Sequence, residues 1–217
     1  MTTPVTELVA AGFRGLAALR RARAFHPAGL VLRGELRPVD DDLPWPAGPT
    51  AVVARLSKGA GTPGRLPDAL GLAVRIPGAG RDGGPWDLTL TTAGSGHVGR
   101  MLPRPAATWT GGAYSSLVPY RRADRLIWLA AWASAESPRL DASLESVVAA
   151  GGLGFVLRTG REDGRWCDSA ELTLSEVGGD APAFDPMLNR PAGLEVAPGW
   201  LAQVREKAYA GSRAGRP

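Results

Sequence analysis

The 217-residue chain has few of the side chains from which proteins build disulfides and metal centres. It contains one cysteine, Cys167, which excludes an internal disulfide and a cysteine-based metal cluster. Its two histidines, His26 and His97, have no cluster of carboxylates near them in the sequence, so together they make a poor metal site. We expect Cys167 to be an inert, half-buried thiol and His97 to be exposed in a glycine-rich loop.

Lysine is scarce as well, because Lys58 and Lys207 are the only two in the chain. The net charge of +4 and the pI near 9.8 therefore come from arginine. These arginines are dispersed and are not interleaved with aromatic residues, which argues against a nucleic-acid partner. Guanidinium groups do suit bidentate recognition of carboxylates, including those of a cofactor.

Long apolar runs and common catalytic motifs are also missing. No run reaches the length that a membrane-spanning helix needs. Near the N-terminus, Arg20, Arg21 and Arg23 follow the apolar stretch, whereas a secretory signal peptide places its basic residues first. HExxH, GxSxG and the P-loop do not occur. We therefore expect a cytoplasmic protein without a membrane partner, and we interpret the acidic run at 40–42 as a solvated loop.

Glycine and proline are abundant, with 29 and 19 residues, which favours a turn-rich fold of short strands. Apolar–polar alternation predicts strands at 29–37, 51–56, 71–76, 86–91, 126–132, 154–159 and 171–177. Helical spacing predicts helices at 3–21, 140–149 and 200–209. We expect an α+β fold with a single domain over residues 1–217. Its antiparallel β-barrel, or strongly curved sheet, would have N- and C-terminal helices outside it.

Arg205 and Tyr209 are four residues apart on the predicted C-terminal helix, so their side chains share one face. A guanidinium beside a phenol lowers the pKa of the phenol, and the phenolate is a hard anionic ligand for ferric iron. The pair also fits an amphipathic helix with a surface arginine and a half-buried tyrosine. Taken alone, His26 likewise fits a structural histidine, and the segment 55–57 fits an ordinary strand end.

Six short segments occur in an order that resembles the heme-binding core of the catalase family. They are R-A-F-H-P-A-G at 23–29, A-R-L-S-K-G-A-G at 54–61, L-P-D-A-L-G-L-A-V-R at 66–75, W-D-L at 86–88, F-D-P at 184–186 and R-E-K-A-Y at 205–209. They are similar to the family patterns R-x-x-H-x-x-G, R-F-S-x-x-x-G, D-x-R-G-F-A-V-K, W-D-L, F-x-P and R-x-x-x-Y. The resemblance covers most of 20–91 and 184–216, and it is loose over 105–180.

This resemblance implies a catalase-like barrel that holds heme b with ferric iron. Tyr209 would be the metal ligand and Arg205 its charge partner. On the opposite side of the heme, His26 would shuttle protons and Ser57 would orient it. The remaining cofactor-binding positions that the resemblance implies are Arg23, Arg55 and Arg216, which would pair with the propionates, and Ser212.

Departures from the family pattern bear on the activity. The family's distal asparagine corresponds to Thr91, and a hydroxyl offers fewer hydrogen bonds than an amide. The distal phenylalanine and the long segments that narrow the channel to the iron are also missing. The resemblance therefore implies weak catalase turnover and a peroxidase-like enzyme. Such an enzyme would use peroxide to oxidise an organic substrate, or would rearrange one.

Two other interpretations stay open. A non-catalytic heme carrier or sensor would keep Tyr209 but would not need His26. A heme-free barrel would instead bind an apolar ligand, lined by some of the seven tryptophans. The sequence does not decide the oligomeric state, and a homodimer stays open.

Overall fold

The computed structural model describes residues 29–197, in which β-strands predominate. The strands are β1 (Gly29–Pro38), β2 (Thr50–Lys58), β3 (Leu70–Ile76), β4 (Trp86–Ala93), β5 (Ala113–Ser115), β6 (Tyr120–Arg122), β7 (Arg125–Ala133), β8 (Leu153–Gly160), β9 (Trp166–Val177) and β10 (Glu195–Val196). The α-helix α1 (Leu144–Ala150) and two 3-10 turns, Arg81–Gly83 and Gly99–Met101, lie between them. The seven strands expected from the sequence are confirmed. The expected helices at 3–21 and 200–209 fall outside the described residues.

Eight of the strands form a closed antiparallel barrel. Their order is β1-β2-β3-β4-β5-β7-β8-β9, and β9 pairs back onto β1. Closure leaves no free edge in this ring, so its backbone hydrogen-bonding groups pair within the barrel. The expected antiparallel barrel is confirmed.

Alternation along each strand separates an inner face from an outer face. On β2, Val52, Ala54 and Leu56 are buried, and the residues next to them in the sequence are more exposed. Leucines dominate the inner face, and those at most 2% exposed include Leu32, Leu36, Leu56, Leu72, Leu90, Leu157 and Leu172. Each such leucine contributes about 1.5–3 kcal/mol through burial. The barrel interior is therefore a packed core that stabilises the fold.

A glycine at position 34 allows the ring to close. The pairing of β1 with β9 shifts register between Arg33 and Gly34, which marks a bulge. A Cβ atom at position 34 would lie 2.9 Å from the Cα of Leu174 and would collide with the carbonyl oxygen of Thr173. The absence of a side chain therefore lets β9 approach β1 closely.

Helix α1 begins later than the sequence predicts, at residue 144 and not at 140. Asp141 Oδ1 accepts a hydrogen bond from the Ser143 backbone N–H at 2.9 Å. Ser143 then caps the helix by accepting from Ser146 N at 3.3 Å. Gly151, with φ 71°, follows the last helical residue.

No helix within residues 29–197 has both the length and the apolar character that crossing a membrane requires.

Three short strands were not expected from the sequence: β5, β6 and β10. Strands of two or three residues carry too little alternation to be recognised. Here β10 pairs with β6, and β6 pairs with β7, so a small branch leaves the barrel at one corner.

The described tryptophans mainly support packing. Trp86 and Trp109 are buried in the core, and Trp45 stacks on Trp86 with ring centroids 4.8 Å apart. On the outside of β7, the guanidinium carbon of Arg100 lies 3.6 Å from the ring centroid of Trp128. Burial lowers the pKa of Arg100, and nearby acidic residues partly oppose this effect.

Candidate functional site on the outer face of the barrel

Three residues singled out from the sequence lie on the same side of the barrel wall. Arg55 and Ser57 alternate with the inward residues of β2, and Thr91 alternates with the inward leucines of β4. All three are partly buried. Their side chains therefore project from the outer face of the wall.

Strand register places these residues in two transverse rows. One row runs through Gly29, Ser57, Gly71 and Thr91. The second row runs, in the same strand order, through Val31, Arg55, Ala73 and Thr89. We call these eight residues the outer face of β1–β4. With strands about 4.8 Å apart, this face is about 14 Å wide.

The centre of this outer face carries small side chains. Gly71 lies between Ser57 and Thr91, and Ala73 lies between Arg55 and Thr89. Glycine within a strand often marks a place where a ligand or another backbone approaches closely. The outer face of β1–β4 therefore has small residues at its centre, of which Gly71 is buried, and polar side chains beside them.

Gly29 and Arg55 are in direct contact. A Cβ atom at position 29 would collide with the Arg55 side chain, whose Nη2 would be 3.0 Å away. The Arg55 guanidinium therefore lies over the start of β1. This contact joins two of the segments recognised in the sequence, 23–29 and 54–61.

Thr89 adds a hydroxyl that has no partner. Its Oγ1 atom is buried without a hydrogen bond, although Thr89 as a residue is only partly buried. Leaving a buried hydroxyl unpaired costs about 1–3 kcal/mol. The other unpaired buried side-chain atoms among the described residues lie away from the outer face of β1–β4: Arg100 Nε, Trp128 Nε1, Thr159 Oγ1 and Arg190 Nε. The Thr89 hydroxyl is thus a buried polar group without a hydrogen-bond partner on the outer face of β1–β4.

The loop between β2 and β3, which follows Ser57, is fixed by Asp68. The Asp68 carboxylate accepts hydrogen bonds from Ala60 N at 2.8 Å, from Thr62 N at 2.9 Å and from Thr62 Oγ1 at 3.0 Å. Lys58 Nζ donates to the Gly64 carbonyl at 2.7 Å. Burial is the largest single influence on the pKa of Asp68 and raises it, but the hydrogen bonds together outweigh burial, so the pKa is lowered.

This lowered pKa predicts how the contribution of Asp68 to stability changes with pH. The fold favours the charged form, so the contribution is present above the unfolded pKa of about 3.9 and is lost as the pH falls through the lower folded pKa. We expect Asp68→Asn to reduce the free energy of unfolding at pH 7 and to reduce it much less at pH 2–3. Urea denaturation of both proteins across this range measures the difference. An equal difference at every pH would contradict the assignment.

Asp87 joins three of the segments recognised in the sequence. It belongs to W-D-L, projects outward from β4 and is 0% exposed. Arg75, from the segment 66–75, donates from Nε to Oδ1 at 2.7 Å and from Nη2 to Oδ2 at 2.6 Å. Asp185, from F-D-P, donates its backbone N–H to Oδ2 at 2.7 Å. The segments 66–75, 86–88 and 184–186 therefore meet at one buried carboxylate.

The same carboxylate holds the chain after F-D-P. Asn189 Nδ2 donates to Asp87 Oδ2 at 2.7 Å, and Asp87 N donates to the Asn189 carbonyl at 2.9 Å. Arg75 Nη2 also donates to the Ala183 carbonyl at 2.9 Å. Its hydrogen bonds to Asp87 raise the pKa of Arg75, so Arg75 stays charged. Residues 183–190, which we call the anchor segment, are thus fixed to β3 and β4.

The other residues singled out from the sequence lie outside the described range: Arg23, His26, Arg205, Tyr209, Ser212 and Arg216. In the sequence, His26 precedes Gly29, the first residue of β1, by three positions.

The expected exposure of His97 and the expected half-burial of Cys167 are confirmed. His97 is exposed, and one of its ring nitrogens contacts the Glu162 carbonyl. Cys167 is a half-buried free thiol on β9. In the acidic run, Asp41 and Asp42 are exposed. No group of three or more His, Cys, Asp or Glu residues within 29–197 is placed to hold a metal ion.

Sequence reasoning missed Thr89, Asp87 and Asn189. Asp87 did carry a signal, because it is a charged residue between the buried residues Trp86 and Leu88. In the β3–β4 register it pairs with Arg75, a residue of opposite charge. For Asn189 and for the unpaired Thr89 hydroxyl, the sequence contains no comparable signal.

Comparison with family models, with curated proteins and with solved structures finds no match to this chain.

Proposed function

We propose that this protein is a heme-dependent enzyme whose cofactor lies against the outer face of β1–β4. The observation that carries the proposal is the shared placement of Arg55, Ser57 and Thr91. Residues chosen from separate sequence segments project from the same face of adjacent strands. We also propose that the barrel is catalase-like and has N- and C-terminal helices outside it.

Several features of the outer face of β1–β4 fit a large flat cofactor that carries carboxylates. Gly71 and Ala73 allow a planar ring to approach the backbone. Arg55, lying over Gly29, supplies a guanidinium at the edge of the face, where it would pair with a propionate. The buried Thr89 hydroxyl has no partner in the protein, and in this proposal it would hydrogen-bond to the cofactor.

In this proposal the remaining contacts come from both chain ends. Tyr209 would be the iron ligand and Arg205 would favour its phenolate form. Arg23 and Arg216 would join Arg55 at the propionates, and Ser212 would line the site. When bound, the cofactor supplies ferric iron that activates peroxide.

The protein's own part in the reaction is to bind and orient peroxide and to move its proton. His26 would take the proton from one peroxide oxygen and deliver it to the other, acting first as a base and then as an acid. Ser57 would fix the orientation of the imidazole by hydrogen bonding. Thr91 would hold peroxide less firmly than an amide, which favours oxidation or rearrangement of an organic substrate over catalase turnover.

Of the two alternatives, the packed interior argues against a heme-free barrel with an apolar ligand inside. Inward leucines such as Leu56, Leu72 and Leu90 are at most 2% exposed. A non-catalytic heme carrier or sensor fits the outer face as well as an enzyme does, and it differs in not needing His26.

Absorption spectra during hemin titration test heme binding. We expect the wild-type protein to develop a Soret band at one hemin per chain. Tyr209→Phe should weaken binding by about 100-fold or more, since even residues that only support a metal ligand are worth about 10–100-fold. Tyr114→Phe is the matched control, because the Tyr114 hydroxyl is buried and donates to the Trp109 carbonyl at 2.8 Å. Absence of a Soret band in the wild-type protein would overturn the proposal.

Two threonines on β4 allow a second test of the site. Thr89→Val removes an unpaired hydroxyl, so we expect unchanged or greater stability, by up to about 1 kcal/mol, together with about tenfold weaker hemin binding. Thr92→Val is the control. Its hydroxyl accepts from Leu70 N at 3.0 Å and donates to the Arg104 carbonyl at 2.7 Å. This control should lose about 1–3 kcal/mol of stability and bind hemin normally. Parallel losses of stability in both variants would contradict a ligand-facing role for Thr89.

A further inference from the structure

A second group of side chains on the outside of the barrel surrounds a buried arginine, Arg100, which is 2% exposed. Its guanidinium carbon lies 3.6 Å from the ring centroid of Trp128 and 5.9 Å from that of Trp166. Trp128 on β7 and Trp166 on β9 both pair with Gly160 on β8. A Cβ atom at position 160 would lie 2.6 Å from the Trp166 ring, so the glycine makes room for that ring. Two indole rings are therefore within cation–π distance of one guanidinium.

Arg100 and Trp128 both carry N–H groups without acceptors. Arg100 Nη1 donates to the Arg161 carbonyl at 2.8 Å. Arg100 Nε and Trp128 Nε1 are buried and have no hydrogen-bond partner, and Arg100 forms no ion pair with any residue in the described range 29–197. Nε and Nη2 form the edge of a guanidinium that binds a carboxylate through two parallel hydrogen bonds. This edge of Arg100 is not used within the described part of the protein.

Two acidic residues near Arg100 are engaged elsewhere. Glu162 Oε1 accepts from Leu126 N at 3.2 Å, and Asp163 Oδ1 accepts from Arg165 N at 2.9 Å. Burial lowers the pKa of Arg100, and the charges of Asp163 and Glu162 raise it by a smaller amount. The protein therefore compensates the buried positive charge only in part.

Another arginine on the same side of the barrel has the carboxylate that Arg100 lacks. The guanidinium carbon of Arg158 lies 4.9 Å from the ring centroid of Trp132, and its Nε donates to Asp168 Oδ1 at 2.5 Å. Arg100 and Trp128 repeat this stacked pair without an acceptor at Nε. The Arg158 side chain is 33% exposed, so the more deeply buried arginine is the one without a carboxylate. Buried charges in proteins are paired as a rule.

We propose that Arg100 and Trp128 form a binding site for a small organic monocarboxylate. The carboxylate would accept hydrogen bonds from Arg100 Nε and Nη2 and from Trp128 Nε1, and its apolar part would pack against the indole rings. Nη2 is unpaired and is not among the fully buried atoms, so the ligand approaches the guanidinium from the Nη2 side. This site is separate from the outer face of β1–β4, and it does not depend on heme.

Titration with propionate, at constant ionic strength and without hemin, tests this site. Nitrogen-15 NMR spectra report the Arg100 Nε–H and the Trp128 indole N–H directly, and the two signals are assigned by their loss in Arg100→Lys and Trp128→Phe. We expect both signals to move downfield and to saturate together at one propionate per chain. Propionamide, which has the same shape without the charge, should leave both signals in place, and so should chloride.

Two variants and a matched control measure what each group contributes. Arg100→Lys keeps the charge but loses the two-nitrogen edge, so propionate should bind about tenfold or more weakly. Trp128→Phe keeps an aromatic ring beneath Arg100 and removes the indole N–H, so the fold should persist and affinity should fall about two- to tenfold. Trp132→Phe alters the stacked pair that already has a carboxylate, and it should bind propionate normally.

Three results would count against the site. The first is the absence of a saturable shift at Arg100 and Trp128 in the wild-type protein. The second is an equal shift with propionamide or chloride, which would show that the site does not select a carboxylate. The third is an unchanged propionate affinity in folded Trp128→Phe and Arg100→Lys, which would place the binding elsewhere.

Discussion

The Asp87→Ala variant is expected to unfold with a free energy lower than that of the wild type by about 3 kcal/mol or more. Asp87 is 0% exposed, and its removal leaves the Arg75 guanidinium, 24% exposed, without its carboxylate. It also removes the acceptor for Asp185 N and Asn189 Nδ2. A buried donor left without an acceptor costs more free energy than its hydrogen bond contributed. The loss of these acceptors therefore adds to the loss of the ion pair.

A matched control is available on the other side of the barrel. Arg158 and Asp168 also pair across neighbouring strands, but their side chains are 33% and 57% exposed. Such a pair contributes about 0–1 kcal/mol, so Asp168→Ala should have a small effect. Urea denaturation monitored by tryptophan fluorescence measures both variants. Similar losses of unfolding free energy in Asp87→Ala and Asp168→Ala would mean that burial does not determine the contribution of Asp87.

In the proposed reaction, His26→Ala should lower peroxide-dependent oxidation of an organic substrate by about 10²–10⁴-fold, which is the usual contribution of a general acid–base residue. The variant should still bind hemin, because the proposed iron ligand is Tyr209. Rates are to be compared at equal heme content, judged from the Soret band, so that loss of cofactor does not imitate loss of catalysis.

The matched control for His26 is the other histidine of the chain. His97 is exposed and lies outside the outer face of β1–β4, so His97→Ala should leave the rate unchanged. Equal rates in the wild type and His26→Ala, with hemin bound in both, would favour a carrier or sensor over an enzyme.

Much of the barrel could be predicted from local patterns. The sequence pattern identified β2 as a strand at 51–56, and the structure, in which β2 extends to Lys58, places Arg55 and Ser57 on the same side of it. Closure of the ring could not be predicted in this way. It depends on the pairing of β1 with β9 and on the bulge at Gly34, which bring together residues far apart in the sequence.

The candidate site, like the barrel, could be predicted from the sequence only in part. Ser57 and Thr91 were found through short motifs, and the register of β2, β3 and β4 was needed to show that both lie in one row. The network around Asp87 was out of reach, because Asp185 and Asn189 are 98 and 102 positions away in the chain. Thr89 and Thr92 lie on opposite faces of β4, and no sequence pattern records that the Thr92 hydroxyl finds partners while the Thr89 hydroxyl does not.

Strands β3 and β4 contribute residues to the core from one face and to the candidate site from the other. The candidate site therefore depends on correct folding of the barrel. Leu72, Leu88 and Leu90 fill the core from one side, while Asp87 and Thr91 serve the other. If β4 slipped by one residue against β3, every leucine would exchange places with a polar neighbour. A barrel with this shift in register would therefore lose both its core and its candidate site. We do not expect a molecule that keeps the fold but has a disrupted site.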